Sequence, residues 1–121
     1  MAKRVLICDD AGFMRSLLKD ILTSEGYEVA GEAPDGQAGV QMYQDLRPDL
    51  VTMDISMVGH DGMAVFNALK KLDPKVKVLV ISGNSQKKIY DALLAAGVSG
   101  YVPKPINPEE LKSKIASLAA A

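Results

Sequence analysis

The sequence predicts an α/β fold in which five strands form a parallel sheet and five helices cover both of its faces. Three observations predict it. Short apolar runs of strand length recur along the chain, segments with apolar residues at helical spacing lie between them, and Gly, Pro or Asn punctuates the boundaries. Strands that alternate with helices are joined by right-handed crossovers, which place the strands parallel in one sheet with helices above and below.

The elements follow in order. Val5-Leu6-Ile7-Cys8 reads as a continuous apolar strand ending on Asp9 and Asp10. Met14, Leu17, Leu18, Ile21 and Leu22 have helical spacing to about Glu25, and Gly26 supplies the stop. Tyr27 to Gly31 is a short strand, and Asp35 to Leu46 a helix with Ala38, Met42 and Leu46 on its inner line. The stretch Pro48-Asp49-Leu50-Val51-Thr52-Met53-Asp54 is the central strand: Pro48 stops the preceding helix and the apolar run ends abruptly on Asp54. A helix from about Gly62 to Leu72 turns Val65, Leu69 and Leu72 inward, and Asp73-Pro74 ends it.

Val76 to Ile81 is a β-branched run ending on Ser82-Gly83. Asn84 or Ser85 can cap the next helix, where Ile89, Leu93 and Ala96 share a side before Gly97. Gly100-Tyr101-Val102 is a last short strand running into Pro103-Lys104-Pro105. The final helix has Asn107 as N-cap, Pro108 at its first position, Glu110 where a capping-box acid belongs, and Leu111, Ile115 and Leu118 as its buried stripe.

Composition excludes several classes of function. The 121 residues suit one domain, and 48% apolar with 24% charged residues is the balance of a globular chain with a real core. A net charge of −1 with scattered bases gives no general reason to bind nucleic acid or an anionic membrane. The apolar run before Asp9 is too short for a signal peptide or a span, so a cytoplasmic location is expected. Cys8, the single cysteine, reads as a core thiol.

In an open α/β sheet, ligands bind beyond the carboxyl ends of the strands. Asp9 and Asp10, Asp54, Ser82 and Lys104 all fall there. An Asp after a strand is ordinarily a turn former or cap, but three carboxylates meeting in one crevice need a cation or shifted pKa values to coexist, and one Lys is not enough. Oxygen-only ligands without His or Cys favour Mg²⁺ over Zn²⁺. There is no phosphate-binding Gly-rich loop and no Gly-x-Ser-x-Gly elbow, and His60 lies in a polar loop, where it is expected to be solvated. A carboxylate can itself attack phosphorus to form an acyl phosphate, with Mg²⁺ and Lys neutralising the transferring group, and Asp54 is the candidate.

Asp9-Asp10, Asp54 with Met57, Asp61-Gly62, Ser82-Gly83 and Lys104-Pro105 together resemble a response-regulator receiver domain over the whole chain. Asp10-Ala11-Gly12-Phe13-Met14-Arg15 is further similar to the start of single-domain chemotaxis regulators of the CheY type. The resemblance implies a flavodoxin-like receiver fold with strand order 2-1-3-4-5 and a single receiver domain over residues 1–121 with no output domain. It also implies that Asp54 accepts a phosphoryl group from the phosphohistidine of a CheA-like kinase. Asp10, Asp54 and the backbone carbonyl of Ser56 would bind Mg²⁺ directly, with Asp9 assisting through water. Lys104 would pair with the phosphoryl oxygens and precede a cis bond to Pro105. Ser82 would move to the phosphoryl group, and Tyr101 would rotate inward to reshape the face of the fourth helix, fifth strand and fifth helix.

The chain departs from the family pattern at Val58, where Pro is usual, and at Ile106, where an aromatic often follows Lys-Pro; Ser56 and Asn84 occupy positions that tune phosphoryl lifetime. The expected output is docking by a monomer onto the flagellar motor switch, with a phosphatase as a further partner and no enzymatic activity beyond its own phosphorylation and dephosphorylation. A phosphorelay shuttle or a non-motility receiver is the alternative within the family. A flavin module lacks its phosphate loop and flanking aromatics. A small Mg²⁺-dependent phosphatase would differ by sustained turnover of a phosphate ester.

Overall fold

A computed structural model describes residues 3–55, 62–83 and 87–120, with the backbone alone for 87–90. The elements are β1 (Arg4–Cys8), α1 (Gly12–Ser24), β2 (Glu28–Ala33), α2 (Gly36–Leu46), β3 (Leu50–Asp54), α3 (Gly62–Leu72), β4 (Val78–Ser82), α4 (Lys87–Ala96), β5 (Gly100–Pro103) and α5 (Pro108–Ala120). The sheet has the order β2-β1-β3-β4-β5 with every neighbour parallel. Both the alternation and the strand order therefore agree with expectation.

The sheet divides the core in two. On one face, Tyr43, Val65, Phe66, Leu69 and Leu93 from α2, α3 and α4 pack on Leu6, Cys8, Val51, Met53, Val78 and Val80. On the other, Met14, Leu18, Ile21 and Leu22 of α1 and Leu111 and Ile115 of α5 pack on Val5, Ile7, Leu50, Leu79 and Ile81. Consecutive strand residues serve opposite faces, so the central strands are mostly apolar; β3 and β4 are buried at every position, with Thr52, Asp54 and Ser82 as their buried polar residues. Among the described residues, no helix is long and apolar enough to cross a membrane.

Local boundaries follow local chemistry. Gly26 and Gly97 adopt positive φ after α1 and α4, ending these helices where the spacing stops. Asp35 caps α2 by accepting from the Ala38 N–H at 2.8 Å, and Asn107 caps α5 by accepting from Glu109 at 2.9 Å and Glu110 at 3.3 Å.

Two boundaries and one buried helix face differ from the sequence expectation. β2 begins one residue later and ends two residues later than Tyr27–Gly31; its register slips between Val5 and Leu6, and Ala33 comes to pair with Cys8. Val76 precedes β4 instead of opening it, since its N–H donates to Asp73 O at 3.0 Å in a turn. In α2 the buried line is Gly36, Gly39 and Tyr43, with Ala38 and Met42 flanking it. Gly39 explains the rotation: a Cβ there would stand 2.8 Å from Cys8 Sγ, so the helix brings its backbone onto β1. The expected caps Asn84 and Ser85 lie outside the described residues, as does the Ile89 side chain.

Candidate functional site

The strand order reverses direction between β1 and β3, and the carboxyl ends of these neighbours open the crevice where an α/β sheet binds ligands. Asp9 and Asp10 follow β1, while Asp54 ends β3. One carboxylate oxygen from each lies within 4.8 Å of the others. Asp9 and Asp54 are buried, at 1% and 2% exposure, and Asp10 is exposed, so the cluster has two walls and a mouth.

Lys104 enters from β5. Its N–H donates to Ser82 O at 2.8 Å, which ties the chain after β5 to the end of β4. From there Nζ donates to Asp54 Oδ2 at 2.9 Å and stands 3.7 Å from Asp9 Oδ2. The peptide bond that follows, Lys104–Pro105, is cis. Ile106 is half-buried against the α1–α5 layer of the core.

Asp9 is held through its N–H, its carbonyl and one carboxylate oxygen. Its N–H donates to Ala33 O at 3.0 Å, its Oδ1 accepts from the Ala11 N–H at 2.9 Å, and its carbonyl accepts from Arg15 Nη1 at 2.6 Å. Only Oδ2, buried and facing Lys104, has no hydrogen-bond partner among the described residues. Burial pushes the Asp9 carboxyl above its ordinary range; the Ala11 N–H opposes this, the Asp54 charge adds to it, and the Lys104 charge opposes it. For Lys104, burial works against the charge, but the hydrogen bond and charge of Asp54, with the charge of Asp9, outweigh it and hold the ammonium above its usual range.

These residues fit a hard divalent cation. The donor set is oxygen only, one buried carboxylate oxygen has no hydrogen bond, and three carboxylates face one ammonium. Like charges about 5 Å apart repel by about 3 kcal/mol at an effective dielectric constant of about 20. A divalent ion would offset that repulsion, and Mg²⁺ suits the ligand chemistry better than a thiophilic metal. The adjacent thiol takes no part: Cys8 is buried, and burial first, then the charges of Asp9 and Asp35, push its pKa up to about 12.

Ser82 ends β4 fully buried, its Oγ donating to Gly83 O at 2.8 Å. Tyr101 lies on the edge strand β5, half-buried against the α2–α4 layer. The structure thus gathers Asp9, Asp10, Asp54 and Lys104 into one cluster and leaves Tyr101 away on the strand that delivers Lys104. Ser56, Met57, Val58, His60, Asp61 and Asn84 lie outside the described residues.

Sequence reasoning gave no role to Arg15. The available signal was a base close to the start of α1, where the helix dipole disfavours positive charge.

Comparison with known proteins agrees with this geometry. The response regulator receiver domain family matches residues 5–116. The chemotaxis protein CheY of Thermotoga maritima is 45% identical over 92% of each chain. CheY of Bacillus subtilis is 37% identical over 95% of this chain and 96% of its own. Among solved structures, the CheX–CheY–BeF3–Mg complex from Borrelia burgdorferi includes a chain 28% identical to this one, with a TM-score of 0.91 over 97% of this chain and 89% of that chain.

Proposed function

The chain belongs to the response regulator receiver domain family and is CheY-like, and from that premise we propose that it is a signalling switch phosphorylated on Asp54. The observation that carries the proposal is the pairing of a buried Asp54 with Lys104 at 2.9 Å inside a cluster of three carboxylates.

Asp54 supplies the nucleophile toward the phosphohistidine of a CheA-like kinase. A carboxylate oxygen bonds to phosphorus as the phosphorus–nitrogen bond breaks, and the donor imidazole leaves with that electron pair. Asp9, Asp10 and Asp54, with the Ser56 carbonyl, would hold Mg²⁺, which when bound supplies positive charge against the phosphoryl oxygens. Lys104 already stands beside the acceptor carboxylate and can follow the arriving oxygens without moving its backbone. Burial of Asp54 limits access of water to the acyl phosphate.

The response begins at two side chains. Ser82 exchanges its bond to the Gly83 carbonyl for one to a phosphoryl oxygen, and Tyr101 turns inward on β5. The face of α4, β5 and α5 changes shape, and a partner docks there. The flagellar motor switch is the proposed target, with a phosphatase as a second partner; the complex of the Borrelia relative with CheX supports docking by another protein. The chain would work in the cytoplasm as a monomeric receiver and catalyse only its own phosphorylation and dephosphorylation.

Intact mass after incubation with Mg²⁺ and a small acyl phosphate tests the chemistry. A single added phosphate in the wild type, absent without Mg²⁺ and absent in Asp54→Asn, is the expected result. No added mass in the wild type overturns the proposal.

A further inference from the structure

Arg15 occupies a place that helix energetics disfavour. It lies close to the positive end of α1, a helix with no acid in its first turn and no side-chain N-cap, so its charge opposes the helix dipole. Its side chain nevertheless folds back over that turn and is only 21% exposed. Nη1 donates to the Asp9 carbonyl at 2.6 Å, and Nε faces Glu32 Oε1 of β2 at 3.5 Å. Lys19 holds the other oxygen of Glu32 at 3.8 Å. A guanidinium can bridge a carboxylate and a carbonyl with separate donors, which an ammonium cannot do in the same fixed geometry.

The carbonyl it grips belongs to the planar peptide that joins Asp9 to Asp10. Fixing that oxygen fixes the plane, and the plane sets where the Asp10 side chain departs relative to Asp9. The remaining groups of Asp9 are held by Ala33 and Ala11, which leaves Oδ2 as the atom turned to the site.

We propose that Arg15, oriented by Glu32, is a positioning residue for the acidic site: through the Asp9 carbonyl it holds Asp9 and Asp10 in the relative placement that binds the divalent cation. The inference rests on the Mg²⁺ reading given above. It assigns Arg15 no contact with the ion or with phosphorus.

The test is Mg²⁺ titration by calorimetry on the wild type, Arg15→Ala, Arg15→Lys, Glu32→Gln and Arg4→Ala, with urea unfolding of each in parallel. Outer-shell partners of metal ligands typically contribute tenfold or more to affinity, so Arg15→Ala should weaken Mg²⁺ binding by about tenfold. Arg15→Lys should recover part of the loss, and Glu32→Gln should weaken binding less than Arg15→Ala. Arg4, which pairs with Glu28 at 3.0 Å at the far end of β1, is the control: its replacement lowers stability and leaves Mg²⁺ affinity unchanged. Equal Mg²⁺ affinity in wild type, Arg15→Ala and Glu32→Gln overturns the inference, as does a loss in Arg4→Ala as large as that in Arg15→Ala. Absence of saturable binding in the wild type overturns the Mg²⁺ reading itself, and this inference with it.

Discussion

Lys104 Nζ lies 2.9 Å from Asp54 Oδ2, and the same ammonium stands 3.7 Å from Asp9 Oδ2, so one partly buried cation serves two buried carboxylates. Replacing it by Met keeps the apolar stem and leaves both acids without that charge. Breaking a fully buried pair costs about 3–5 kcal/mol, and exposure of Lys104 reduces this, so Lys104→Met should lose about 1–3 kcal/mol without divalent ions. Because the native pKa of Lys104 is raised, its contribution is complete below 10.5 and is lost only as pH rises through the native value. Urea unfolding with and without Mg²⁺ checks this: Mg²⁺ should restore more stability to the variant than it adds to the wild type. Equal midpoints for the two proteins without Mg²⁺ would defeat the expectation.

Asp9→Asn should have the opposite sign. Burial raises the native pKa of Asp9 above its unfolded value, so its favourable contribution is present below 3.8 and declines as pH rises through the native value. Wherever this carboxyl is ionised, the fold therefore carries a charge it disfavours. Asn preserves the acceptor for the Ala11 N–H and removes that charge, so the metal-free variant should gain about 1–2 kcal/mol, within the ordinary range for relief of a buried charge. The rise in melting temperature on adding Mg²⁺ should shrink at the same time. A variant less stable than wild type without Mg²⁺ would show that Asp9 is satisfied as a carboxylate.

Much of this was legible in the sequence because burial on both faces of a parallel sheet leaves a simple mark. Leu50, Val51 and Met53 are apolar in succession, and the run stops at the residue that reaches the crevice. Once five such strands alternate with helices, the strands run parallel and their carboxyl ends bring Asp9, Asp10, Asp54 and Lys104 to the same edge. Strand order was legible only through the family resemblance, since periodicity encodes which face a residue serves and not which strand lies beside it. The slip between Val5 and Leu6 and the link between Tyr43 and Asp73 were hidden for the same reason. Arg15 was hidden because its target is a backbone carbonyl, which has no sequence signature.

Tyr43 gives a pH-dependent prediction. Its hydroxyl donates to Asp73 Oδ2 at 2.9 Å, pinning α2 to the turn after α3, while Asp73 Oδ1 accepts from the Lys75 N–H. Tyr43→Phe should lower stability by about 1 kcal/mol at neutral pH, the net worth of one hydrogen bond. Asp73 is held below its usual range, first by the Lys75 N–H and then by Tyr43, so this contribution is present above 3.8 and lost as pH falls through the native value. Burial and then Asp73 push Tyr43 from 10.0 to about 12, so its contribution is present below 10.0 and lost as pH rises through about 12. Urea unfolding across pH should show the gap between wild type and Tyr43→Phe narrowing at the acid end and the alkaline end. A gap independent of pH would break the assignment.

Thr52 offers a stabilising change two residues from the acceptor. It is fully buried on β3, in register with Ile7 and Leu79, both of which pack in the α1–α5 layer. Its Oγ1 has no hydrogen-bond partner among the described residues. An unsatisfied buried hydroxyl carries a desolvation penalty of about 1–3 kcal/mol, and Val has the same shape without it. Thr52→Val should therefore gain about 1 kcal/mol, since part of that penalty is already present in the residual structure of the unfolded chain. Thr52→Ser keeps the hydroxyl and removes a buried methyl, so it should lose about 1 kcal/mol. Neither change touches a carboxylate of the site, so Mg²⁺ affinity should stay constant while the urea midpoints move in opposite directions. A destabilised Thr52→Val would mean that the hydroxyl is bonded to a buried water, and that this water is part of the β3 core.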